Sequence, residues 1–117
     1  MYHPLNEGGI EMSKYLFTGK YTATGVKGLI QEGGSSRHQA VKSAVESVGG
    51  RLESFHFAYG ETDIFAIVDF PDSASAISLA LLIGSTGVVS LSTVPLITVD
   101  EMDAAAKKSP SYRAPKG

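Results

Sequence analysis

Residues 58–70 read AYGETDIFAIVDF, a glycine and two acids running directly into an apolar stretch. Just upstream, residues 51–59 (RLESFHFAY) alternate aromatic and polar side chains, so the two runs read as strands folded back across the Gly60-Glu61-Thr62 corner. The length of that corner decides which side chains share a face, because opposed residues of an antiparallel pair lie on the same side. A loop of two or four residues pairs Phe57 with Ile64 and His56 with Phe65, whereas an odd loop pairs Phe57 with Phe65. The even loop is the expectation. It gathers Phe55, Phe57, Ile64, Ala66 and Val68 on one face and leaves Ser54, His56, Ala58, Asp63, Phe65 and Ile67 on the other.

The flanking segments supply the rest of a sheet and its cover. Residues 15–21 (YLFTGKY) are aromatic-rich and read as a strand. Residues 22–34 hold Gly25, Gly28, Gly33 and Gly34 and read as a loop with at most one helical turn, around 26–30. Ser35-Ser36 then offers a capping hydroxyl to a helix. Ala40, Val41, Ala44, Val45 and Val48 take one side of its period, and Arg37, His38, Lys42, Ser43 and Glu46 take the other. Gly49-Gly50 ends it. Pro71-Asp72-Ser73 is a stop followed by a cap, opening a second helix over 74–83 that Gly84 and Gly87 close. Residues 88–99 form a last strand interrupted by Pro95, which has no ladder donor, and Asp100 caps a short helix through Ala106. The order is β-α-β-β-α-β, a ferredoxin-like α+β domain with two helices over one face of a four-stranded antiparallel sheet. Residues 12–106 make up the domain. Residues 1–11, with Pro4 and Gly8-Gly9, read as a leader that makes Met12 an alternative start, and 107–117 (KKSPSYRAPKG) read as a tail.

Such a sheet should alternate apolar-in and polar-out, yet Phe65 and Ile67 lie opposite Ile64, Ala66 and Val68 on the same strand. Leaving both in water forfeits roughly 1.5–3 kcal/mol each. The second helix is apolar nearly all round, through Ala76, Ile77, Leu79, Ala80, Leu81, Leu82 and Ile83, more than one sheet face absorbs. A second copy packed sheet against sheet, a dimeric α+β barrel about a two-fold axis, is the expected partner, alone or within a larger assembly of dimers.

Composition removes several classes of function. The 117 residues suffice for one domain. With no cysteine, disulfides, thiolate metal sites and cysteine nucleophiles are excluded, and a reducing, cytoplasmic setting is the expectation. Ten basic against twelve acidic residues, with no basic stripe, argue against nucleic acid. Apolar runs such as 79–83 are far short of the ~20 residues that span a bilayer, so no membrane association is expected. The start lacks the basic and apolar regions of a secretory signal.

The run GGRLESFHFAYGETD, then AIVDFPDSASAISLALLIGSTG and a threonine-containing strand, resembles the GYD-domain family of small bacterial and archaeal proteins. Of the family's Gly-Glu-Tyr-Asp signature, Gly60, Glu61 and Asp63 match, and Thr62 stands where tyrosine is usual. Tyr21-Thr22, Gly25, Arg37, Gly49-Gly50 and Pro71-Asp72 also match, and the resemblance covers residues 12–103. It implies a dimeric α+β barrel, a fold that elsewhere hosts cofactor-free monooxygenases, lactone isomerases and haem-handling enzymes, and so implies no single chemistry. Thr62 leaves any role for a phenol at that position without its residue.

Two readings of the candidate residues stand. In one, the protein is a homo-oligomeric module that binds a small apolar or amphipathic molecule or simply assembles, with Arg37, His38, Phe65 and Ile67 as ligand contacts. In the other it is a cofactor-independent enzyme. His56 and Asp63 would lie diagonally on one face, ~7–8 Å apart at Cα, and act as an imidazole base oriented by a carboxylate. The plainer alternatives are a turn carboxylate accepting backbone N–H groups at Asp63 and an interface histidine at His56. Gly33-Gly34-Ser35-Ser36-Arg37-His38 suits an anion at a helix start, but lacks the phosphate-loop spacing. No HxxxH, HExxH or GxSxG spacing occurs, and neither a metal nor a cofactor is expected.

Overall fold

The computed structural model describes residues 11–116. The chain runs β1 (Ser13–Tyr21), α1 (Ala23–Glu32), α2 (Gly34–Ser47), β2 (Arg51–Phe57), β3 (Ile64–Phe70), α3 (Ser73–Ser85), β4 (Val89–Pro95) and α4 (Val99–Ala106). The strands form one sheet in the order β2-β3-β1-β4, every pair antiparallel. This is the ferredoxin-like α+β arrangement, with two helices added to it. The expected leader lies outside the described residues except for Glu11.

The hairpin has the even register: Phe57 pairs with Ile64 and His56 with Phe65. A bulge at Glu53 then shifts the pairing, so Leu52 meets Val68 and Ser54 meets Ile67. The core forms where this face meets the helices, from Tyr15, Phe17, Val45, Ala66, Val68, Phe70, Ala76 and Leu79. Tyr15 meets Phe70 edge-on at 5.7 Å between ring centroids, and its hydroxyl lies 3.2 Å from Ser73 Oγ. A buried phenol is thereby kept polar at one end and packed along its ring.

The main departure from expectation lies between β1 and α2, where 22–34 is not a loop. Thr22 caps a full helix: its Oγ1 accepts from Gly25 N at 3.2 Å and donates to Gly87 O at 2.9 Å. Gly25 is a glycine because α1 lies flush on the chain before β4, and a Cβ there would come within 2.0 Å of Val88 O. Gly33, at φ 83°, then turns α1 into α2 in a conformation other residues adopt only at a cost. Ser35 and Ser36 consequently sit inside the first turn of α2 rather than capping it. Smaller corrections fall on the element ends. The last strand stops at Pro95, and Thr98 rather than Asp100 caps α4, in a reciprocal box with Glu101. α3 extends through Gly84 to Ser85, capped by Asp72, whose Oδ1 accepts from Ser75 N at 2.7 Å.

The helix-free face of the sheet has two zones. Along its middle run Ile67, Leu16 and Val94, one from each of three neighbouring strands, with Phe65 beside Ile67 on β3. Phe65 and Val94 remain 40% and 42% exposed. At one end Asp69 pairs with Arg51 on one side and Lys14 on the other. Its carboxylate takes 2.9 Å contacts from both Lys14 Nζ and Arg51 Nη2, and Lys14 also contacts Glu53. No helix among the described residues is long and apolar enough to cross a membrane.

Candidate functional site

The end of β1 is where the signature corner, both N-terminal helices and the main cavities meet. β3 follows β1 only as far as Asp63, whose N–H bonds Gly19 O at 2.8 Å before the chain turns away through the corner. Tyr21 N–H therefore has no β3 carbonyl to reach. The Asp63 side chain supplies the acceptor instead, with Oδ2 2.9 Å from Tyr21 N. Lys20 reaches the same corner, 3.2 Å from Gly60 O and 3.5 Å from Asp63 Oδ1. The glycine and aspartate of the Gly-Glu-Thr-Asp corner thus both fasten to the last two residues of β1.

Tyr21, held in this way, forms part of the wall of three cavities along this edge. One is an apolar space of about 150 Å³ between the sheet, α2 and α3, where Phe17, Phe55, Ala66 and Leu91 face Val41 and Ile83. Among its lining residues Arg37 alone is charged. A wider cleft of about 460 Å³ lies between α1 and the hairpin, against Lys20, Val26, Leu29, Phe57, Tyr59 and Asp63. Arg37 also borders a smaller recess beside α1 with Glu32, and its Nη1 lies 3.4 Å from Glu32 Oε1. Burial pushes the Tyr21 phenol above its usual range, while the neighbouring Arg37 charge pulls the other way. The phenol is accordingly a neutral hydrogen-bond donor at ordinary pH.

The residues singled out from sequence separate into three places. Asp63 belongs to the corner just described, with its carboxylate engaged by Tyr21 and Lys20. His56 sits exposed on β2 opposite Phe65, and its side chain makes no hydrogen bond or ion pair among the described residues. Phe65 and Ile67 share its helix-free face. Arg37 and His38 sit on α2, where the Arg37 side chain turns to the cavity and His38 lies against Phe55 with ring centroids 5.6 Å apart. No three of His, Cys, Asp and Glu converge as metal ligands among the described residues.

Sequence reading assigned no site role to Lys20 or Glu32, nor to Tyr21, which entered only as one of the positions that carry the resemblance. Nothing in their local spacing singles them out, since Tyr21 ends an aromatic strand and Glu32 ends a helix that its glycines conceal. The available signal was Thr22 followed three residues later by Gly25, a cap that the glycines around it made easy to pass over.

No curated protein and no solved structure matches the chain. A family model described as the GYD domain matches residues 15–106, from within β1 to the last residue of α4. The match takes in the corner that fastens β1 as well as all four strands, and on that extent the chain belongs to the GYD domain family.

Proposed function

We propose that the protein is a homo-oligomeric binding module: two copies close sheet against sheet, and the assembly holds a small apolar or amphipathic molecule. The observation that carries this reading is the apolar block of Leu16, Phe65, Ile67 and Val94 on the face without helices. Burying such side chains contributes roughly 1.5–3 kcal/mol each, against a fold stability of ~5–15 kcal/mol. The charged row suits the same contact. Lys14, Arg51, Glu53 and Asp69 are internally compensated, so a second copy meets no excess of one sign at that end. Helix α3 supports a larger assembly, because Ile77, Leu81 and Leu82 point away from the core and are 55%, 69% and 64% exposed. Binding is favoured over catalysis because His56 and Asp63 each have surroundings that do not involve the other.

Light scattering coupled to size exclusion tests the assembly. The wild-type chain should elute at twice the monomer mass or a multiple of it, and Phe65→Glu should elute as a folded monomer by circular dichroism. A wild-type monomer that stays monomeric as its concentration rises would overturn the proposal.

A further inference from the structure

The cavity between the sheet, α2 and α3 has a chemistry that the rest of the core lacks. Its space of about 150 Å³ is comparable to an engineered apolar cavity that takes up one benzene molecule. Its walls are apolar apart from Tyr21, Thr86 and Arg37. Arg37 thus gives this otherwise apolar space its one charged group. Arg37, with a side chain 32% exposed, also borders solvent, so it stands between the cavity and water.

Its present anion is weakly held. Glu32 is the last residue of α1, where the helix dipole disfavours a carboxylate, and it reaches Arg37 through a single 3.4 Å contact with its own side chain 48% exposed. A guanidinium has five donors arranged for two-pronged recognition of a carboxylate, and this contact leaves most of them to other partners. The neutral Tyr21 hydroxyl is a further donor beside it.

We propose that this cavity binds a small apolar carboxylic acid. A ring or short branched chain fills the space against Phe17, Phe55, Ala66 and Leu91, and the carboxylate displaces Glu32 from Arg37 and is received by Arg37 and Tyr21. This inference deepens the binding half of the reading above and is independent of the assembly half, since every residue involved belongs to one copy.

Phenylacetate is a suitable probe, with phenylacetamide as its uncharged counterpart, followed by methyl NMR and titration calorimetry. Phenylacetate should shift the methyl signals of Ala66, Leu91 and Ile83, and phenylacetamide should bind about tenfold or more weakly, the scale of one charge-assisted hydrogen bond. Arg37→Gln should weaken phenylacetate by a similar factor, while Glu32→Gln, which removes the competing carboxylate, should tighten it severalfold. Arg37→Lys, which retains charge without the fork, should fall between wild type and Arg37→Gln. Equal affinity for acid and amide, unchanged affinity in Arg37→Gln, or the absence of any shift at the cavity methyls would each overturn the proposal. Repeating the titration on Phe65→Glu separates the two claims: binding should persist in the monomer, and assembly is read by its mass alone.

Discussion

The Asp63 carboxylate takes the place of a backbone carbonyl. The β3 ladder ends one residue too soon for Tyr21, and an unpaired, part-buried N–H costs about 1–3 kcal/mol. Asp63→Ala should therefore destabilise the fold by about that amount in urea unfolding. Asp63→Asn, which keeps one acceptor oxygen, should lose distinctly less. Glu61→Ala, at the exposed tip of the same corner, should stay within about 0.5 kcal/mol of wild type. If all three variants are equally stable, the Tyr21 contact is not what the aspartate supplies. The alternative read from the sequence was a carboxylate accepting N–H groups of the turn itself; the N–H it accepts belongs instead to Tyr21, 42 positions away, which only the β1–β3 pairing brings close.

Among the secondary-structure elements, α1 shows most directly how composition misleads. Glycine in a helix interior costs about 1 kcal/mol relative to alanine, so Gly25 and Gly28 argue locally against a helix. The two residues nevertheless have different reasons to be there. At Gly25 a methyl group would strike Val88 O, a backbone atom tied in turn to Thr22 N at 3.0 Å; at Gly28 a Cβ meets nothing within 4 Å. The same substitution should thus act in opposite directions on one helix. Gly25→Ala should destabilise by about 1–3 kcal/mol or more, as overpacking does, and Gly28→Ala should stabilise by up to about 1 kcal/mol. Thermal unfolding of the two variants side by side checks this, and matching shifts would show that Gly25 is not tightly packed.

Across the molecule as a whole, the two sides of the sheet have opposite kinds of order. One is sealed by helices, and the other carries an apolar block bounded by a charged row. Within that row, partial burial works against the Lys14 ammonium, but the hydrogen bonds it donates to Glu53 and Asp69 outweigh it and hold its pKa above the ordinary 10.5. A folded-state pKa above the unfolded one stabilises the fold fully below about 10.5, and this contribution is lost as pH rises through the folded value. Wild-type protein should therefore lose unfolding free energy as pH climbs above that point. Lys14→Met should lose less over the same interval, as measured by denaturant titrations at a series of alkaline pH values. Parallel curves for the two proteins would show that the Lys14 ion pairs contribute nothing to this pH dependence.

Alternation of side chains was enough to place strands at 51–59 and 63–70, which the structure trims to 51–57 and 64–70, and to point to the α+β class, with the even corner between them as the expectation. That information is local: a period of two or of 3.6 is set by backbone geometry within a few residues. Phe65 and Ile67 were assigned to the face away from the helices for the same reason. Three-dimensional packing decided what no window of sequence contains, namely that a glycine-rich stretch is a helix because Val88 lies beneath it. It also decided that Asp63 completes the bonding of Tyr21, and that Arg37 meets an apolar space lined by residues from β1, α2, β2, β3, α3 and β4. Contacts of that kind depend on which segments meet, and the meeting is fixed by the order of strands in the sheet rather than by the residues adjacent in the chain.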